Sequence, residues 1–224
     1  IKLLSKEMKQ WLIDQRESIS TKELQLPPEQ VAMKYANQCK PVIENIKPSR
    51  VPEKMQLTGK QYGTGDGSFK YDGQKNNRQK LIIGMVAEMI VYEKLQEDQN
   101  IENVKWVSRY AARVEPAYSG YNPHGTDGLG YDIEYTDRTG NKNFVEVKGK
   151  ADNQNCFEIT IPEIEKAKQE KKFYHIIFVT NTLNEELRRI KYLGNLFMFE
   201  EGEDLLNNKR FSAVTKSYEI RFKE

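Results

Sequence analysis

Phe144-Val145-Glu146-Val147-Lys148-Gly149 is the stretch on which the reading of the chain turns. Side chains along a β-strand alternate between its two faces, so Glu146 and Lys148 share one side while Val145 and Val147 share the other. One face is therefore expected to meet the core, and the other to carry a carboxylate beside an amine. Glu-x-Lys alone is common on solvated strands. Its meaning depends on what else converges on the polar face.

Just upstream, Tyr131 to Tyr135 alternates apolar and acidic residues, and Thr136-Asp137-Arg138-Thr139-Gly140-Asn141 is turn chemistry with a glycine suited to positive φ. The two alternating runs read as a hairpin. If its loop is Arg138, Thr139 and Gly140, then Asp137 pairs with Asn141, and counting outward sets Asp132 opposite Glu146 on the same face. A slip of two residues keeps that arrangement, whereas a slip of one destroys it. Opposed carboxylates destabilise a hairpin unless a cation lies between them, and two hard oxygen donors point to Mg²⁺, with Mn²⁺ as a substitute. The competing reading is a solvated face on which Lys148 neutralises its neighbours.

Further upstream, Arg78 to Gln96 reads as a helix with Leu81, Met85, Tyr92 and Leu95 in one stripe. Glu88 falls inside that stripe, and the nearby Gly84 and Ala87 are small enough to let the helix approach a sheet closely. Glu88 either reaches out of the core to pair with Lys94 or another base, or belongs to the site. The second option gives a coherent chemistry. Glu88, Asp132, Glu146 and Lys148 would meet, Asp132 and Glu146 would hold Mg²⁺, and Lys148 would orient water or stabilise charge developing on a phosphodiester.

Taken in order, Ile83-Gly84 to Glu88, Gly130-Tyr131-Asp132-Ile133 and Val145-Glu146-Val147-Lys148-Gly149 resemble the domain family named after the C-terminal part of the plant protein NO VEIN, within the PD-(D/E)xK nuclease superfamily. The resemblance runs from Arg78 to Phe222, with Gly130-Tyr131 standing where the superfamily name has a proline before the Asp. It implies an α/β, restriction-endonuclease-like core, a mixed central β-sheet flanked by α-helices. It implies Mg²⁺-dependent hydrolysis of nucleic acid, DNA rather than RNA, by the effector part of a larger restriction, defence or DNA-processing protein. A fused or associated ATPase, helicase or recognition module is the expected partner, and double-strand cleavage would call for a homodimer. The alternative is a non-catalytic nucleic-acid-binding or protein-interaction module with the same fold.

Candidate nucleic-acid contacts are Lys150, Lys166, Arg109, Arg113, His124 and Thr160. Phe157 to Glu163 reads as a short strand entering a helix that runs through Lys172, with Thr160 as N-cap, Pro162 in the first turn and Glu163 completing a capping box. That helix would present Lys166, Lys168, Lys171 and Lys172, either to solvent or to phosphates. Val104 to Ser108, His175 to Thr180, Leu187 to Tyr192 and Tyr218 to Phe222 read as strands, with His175 structural. Helices are expected from Leu3 to Ile13 and from Pro27-Pro28 onward, followed by a long loop from Pro41 to Asn77. Residues 1–77 thus form a helical, loop-rich segment before a nuclease-like domain at 78–224. The glycines from Gly63 to Gly67 lack the Gly-Lys-Ser/Thr that a phosphate loop needs.

The 224 residues suffice for a substantial core, and 35 basic against 33 acidic residues leave a net charge of only +2, so any nucleic-acid surface must be local. Cys39 and Cys156 lack metal-ligand spacing and are expected as reduced thiols. No apolar run is long enough to cross a bilayer and the N-terminus is unlike a signal peptide, so the expectation is a soluble cytoplasmic protein with no membrane partner. An opening Ile in place of Met is expected of a piece of a longer protein.

Overall fold

The hairpin closes at the register that loop parity dictates. Asp137 N–H donates to Asn141 O at 2.9 Å and Gly140, at φ 82°, donates to Asp137 O at 2.9 Å. The ladder then runs from Thr136 opposite Lys142 to Ile133 opposite Val145. The ladder ends there: the next residue, Asp132, donates its N–H to Val145 O at 2.9 Å, so the backbone departs from the count that would pair Asp132 with Glu146.

The computed structural model describes residues 19–37, 43–44, 73–114 and 127–200. Six strands, β1 (Ile43–Glu44), β2 (Ile101–Trp106), β3 (Ile133–Asp137), β4 (Lys142–Gly149), β5 (Tyr174–Thr180) and β6 (Arg189–Gly194), form one mixed sheet in the order β1-β6-β5-β4-β3-β2. Helices α1 (Pro28–Ala36), α2 (Gly73–Glu97), α3 (Ala111–Val114) and α4 (Ile161–Glu170) complete the described elements. β4 and β5 are parallel, joined by the α4 crossover, whereas β3 meets β4 and β5 meets β6 antiparallel. The class expected from the sequence, an α/β fold with a mixed sheet flanked by helices, is the one found.

The two faces of β4 are packed differently from the simplest expectation. Val145 and Val147 join Ile133, Ile177 and Val179 beneath α2. Phe144, Tyr174 and Ile176 form a second cluster with Ala167 of α4 and Phe197. The face bearing Glu146 and Lys148 is therefore covered rather than solvated, because a parallel crossover lays its helix across the sheet. Glu146 is only 4% exposed.

Close approach of α2 to the end of β4 is set by Gly149. A Cβ there would lie 2.9 Å from both Ala87 Cβ and Ile83 O. Ala87 thus plays the part expected of it, but Gly84 does not: it faces the Tyr110 ring, 3.3 Å from a notional Cβ, and not the sheet.

α1 starts at Pro28, and its Val31, Ala32, Tyr35 and Ala36 enter the same core as α2 and the sheet. Covered by α1 on one side and the sheet on the other, α2 is buried almost all round, Gly84 excepted, from Ile82 to Tyr92. The buried Arg188 ties the layers, donating through Nη2 to Tyr35 O at 3.1 Å and through Nε to Thr182 O at 2.7 Å.

Several boundaries differ from the expected ones. α2 begins at Gly73, not Arg78, because its polar first turns carry no apolar periodicity, and β1 interrupts the expected loop from Pro41. Phe157 to Thr160 is not a strand: Phe157 and Ile159 pack onto the α4-side cluster without joining a ladder. α4 stops at Glu170, short of Lys172, where Lys171 turns to φ 52° and a 3-10 turn follows. The expected helix at Leu3 to Ile13, the Gly63 to Gly67 segment, Cys39 and the strand at Tyr218 to Phe222 lie outside the described residues. Among the described residues no helix is long and apolar enough to cross a membrane.

Candidate functional site

Asp132 precedes β3 and is fixed through its backbone from two directions. Its N–H donates to Val145 O at 2.9 Å, while its carbonyl accepts Val107 N–H at 2.8 Å and Ser108 N–H at 3.2 Å. Its side chain reaches toward β4, where Oδ2 accepts Val147 N–H at 2.9 Å. The strand end thus holds the carboxylate in one place.

Glu88 projects from α2 toward the end of β2. Its Oε2 accepts Trp106 Nε1–H at 2.7 Å and the Ser108 hydroxyl. It neither reaches solvent nor pairs with Lys94, whose ammonium lies 2.6 Å from Glu97. The β2 end supplies these two donors to a helix that is otherwise covered. Ser108 consequently joins the two acids, through its hydroxyl to Glu88 and through its amide to the Asp132 carbonyl.

Lys148 Nζ sits 2.7 Å from Glu146 Oε1 and 2.7 Å from Glu163 Oε2. The same Glu163 oxygen accepts Thr160 N–H at 3.0 Å and closes the first turn of α4. The sequence marks Glu163 only as a capping residue. Its second contact is encoded by the crossover that brings the start of α4 over Lys148, which no local spacing reveals.

The electrostatics centre on Asp132. Burial, and then the neighbouring Glu88, push its carboxyl well above the usual range, although Val147 N–H and Lys148 oppose this. Burial, and then Asp132, do the same to Glu146. Burial alone would depress the Lys148 ammonium, but Glu146 and Glu163 outweigh it and raise its proton affinity. Tyr174, which donates to Gly130 O at 2.9 Å, is raised by burial and by Glu146, Glu163 and Asp132 together. Asp132 and Glu146 are hard oxygen donors in a place short of positive charge, a donor set that suits Mg²⁺ or Mn²⁺. Asp132 keeps part of its surface accessible.

All five charged residues of this cluster fall within one stretch of recognisable sequence. Residues 87–193 match the family model described as Protein NO VEIN, C-terminal. The NO VEIN C-terminal match covers just under half of the chain, begins inside α2 and ends inside β6. It contains Glu88, Asp132, Glu146, Lys148 and Glu163. No curated protein and no solved structure matches the chain.

Within the matched segment, the remaining candidate residues have local engagements. Lys166 pairs with Glu170 at 2.6 Å and lies 4.2 Å from the Phe144 ring centroid. Lys150 Nζ donates to the exposed Cys156 Sγ at 3.3 Å. Arg109 is exposed with its guanidinium over the Tyr110 ring, Arg113 is exposed on α3, and Thr160 caps α4. His124 lies outside the described residues. His175 is a buried structural residue. Asn143 donates its amide to Asn141 O at 3.0 Å, which leaves Asn143 Oδ1 to accept from His175 Nε2–H at 2.9 Å. Nδ1 then accepts the Tyr192 hydroxyl, and burial pushes the imidazole down to about 4.

Proposed function

We propose that the chain is a Mg²⁺-dependent nuclease that hydrolyses nucleic-acid phosphodiester bonds, with Asp132 and Glu146 as the cation ligands. The observation that carries this reading is the placement of two carboxylates at neighbouring strands, both pushed up by burial and Glu146 further by Asp132, with an ammonium 2.7 Å from Glu146. Carboxylates forced together in a partly buried place are stabilised by a divalent cation. When bound, the cation supplies Lewis acidity to a phosphodiester.

The residues of the chain divide the remaining work. Asp132 is held in register by its amide, its carbonyl and Val147 N–H, so its free carboxylate oxygen keeps a fixed direction. Lys148, kept cationic by Glu146 and Glu163, donates to the phosphoryl oxygen on which negative charge grows. Glu88, satisfied by Trp106 and Ser108, adds negative potential beside Asp132 and braces the β2 end against it. DNA as substrate, a place in a restriction, defence or DNA-processing protein with an ATPase, helicase or recognition module, and a homodimer for double-strand cutting rest on the family resemblance.

The test uses supercoiled plasmid and end-labelled single strands with Mg²⁺, Mn²⁺ or EDTA. Wild type is expected to cut only with the ion, and Asp132→Asn and Lys148→Ala to lose about a hundredfold or more in rate. Equal cleavage by all three proteins would remove the catalytic assignment. A second reading, a non-catalytic nucleic-acid-binding module, is favoured by the commitment of Lys148 to two carboxylates, an ion network that also suits a purely structural role. DNA binding without cleavage by wild type would select it.

A further inference from the structure

Glu163 stands in two places at once: at the N-terminus of α4, pinned by Thr160 N–H at 3.0 Å, and 2.7 Å from Lys148 Nζ. A carboxylate is at home there, since the first turn of a helix offers free N–H groups and a favourable dipole. Lys148 is thereby anchored to an element other than its own strand. Its other anchor is Glu146 Oε1, also at 2.7 Å, in surroundings where the Glu146 and Lys148 side chains are only 6% and 14% exposed.

The shared use of Glu146 creates a competition. On the metal-site reading above, on which this inference rests, Glu146 must serve a divalent cation, yet in its present arrangement it serves the lysine ammonium. Two cations on one buried carboxylate repel each other strongly in a poorly screened place. An ammonium with no second anion would resist leaving Glu146, because it would be left buried and unpaired.

We propose that Glu163 is a positioning residue that retains Lys148 beside Asp132 when Glu146 turns to a divalent cation, and thereby sets the affinity of that cation site. The α4 cap makes the holder rigid. Lys148 then needs only to lean from one carboxylate to the other, without leaving the cluster.

Isothermal titration calorimetry with Mn²⁺, in the absence of nucleic acid, tests this on wild type, Glu163→Gln, Lys148→Met and the double variant. Gln still accepts Thr160 N–H, so Glu163→Gln keeps the cap while removing the charge that holds the ammonium; circular dichroism checks that each variant is folded. Asp132→Asn identifies the heat that belongs to this site. Glu163→Gln is expected to weaken Mn²⁺ binding about tenfold in the presence of Lys148 but within about twofold in the Lys148→Met background. Equal weakening in both backgrounds would mean that Glu163 acts by its own charge or as a ligand, and would overturn the positioning role. No weakening in either would overturn it too, leaving the nuclease reading standing. Wild type that binds no Mn²⁺, or binds it equally after Asp132→Asn, would bring down the metal site and this inference together.

Discussion

At the scale of single residues, Asp132 combines a satisfied backbone with an unfavourable charge environment. Its folded proton affinity, raised by burial and Glu88, exceeds that of an unfolded aspartate, which titrates near about 4. Such a group adds stability below its unfolded pKa and loses that contribution as pH rises through its folded pKa. Glu146 acts with the same sign. Metal-free protein is therefore expected to melt at lower temperature as pH increases from about 4 toward neutrality through this pair. Asp132→Asn should flatten that slope and, in EDTA at neutral pH, stabilise the fold by about 1 kcal/mol, since an amide oxygen still accepts Val147 N–H. Melting curves at acid and neutral pH check this, and an unchanged slope would count against the charge conflict. The hairpin register from Thr136 opposite Lys142 to Ile133 opposite Val145 was legible in the sequence because loop parity fixes it, whereas the bond of Asp132 N–H to Val145 O, in place of a pairing with Glu146, was not. The pairing of Glu163 with Lys148 was not, since it arises only when the crossover folds back. Nor was the Trp106 and Ser108 embrace of Glu88, for which the sequence offered Lys94 as the nearer partner.

At the scale of elements, the geometry depends on how α2 lies across the end of β4. Gly149→Ala would drive a methyl group to 2.9 Å from Ala87 Cβ and Ile83 O, and the helix backbone cannot yield as a flexible side chain would. The expected cost is about 2 kcal/mol, read as a lower denaturation midpoint with an unchanged urea m-value. Because Glu88 rides on the same helix, its contact with Trp106 should loosen as well, reported by a change in the Trp106 fluorescence. Retention of both full stability and the wild-type spectrum would show that the helix does not rest on Gly149. The sequence located α2, β2, the hairpin and α4 through periodicity and capping signals. It missed the polar start of α2 and took Phe157 to Thr160 as a strand, because alternation reports which side chains are buried but not whether a neighbouring edge is available for hydrogen bonding.

At the scale of the molecule, the NO VEIN C-terminal match begins at Ala87, inside α2, whereas the core extends back through α1 to Ile19. The contact from Arg188 to Tyr35 O spans the chain and belongs to no local pattern. A fragment of residues 87–193 lacks the first half of α2 and the helix that covers it, so it is expected to show no cooperative thermal transition, whereas the full chain should show one. A sharp transition for the fragment would mean that the amino-terminal residues are dispensable for folding. The proposed role of the fold, holding Asp132 and Glu146 together as ligands of one cation, is open to direct inspection. In crystals soaked in Mn²⁺, the expected result is one anomalous peak about 2.2 Å from a carboxylate oxygen of Asp132 and of Glu146, with Lys148 drawn toward Glu163. A saturating soak that leaves no peak between those two carboxylates would contradict the account.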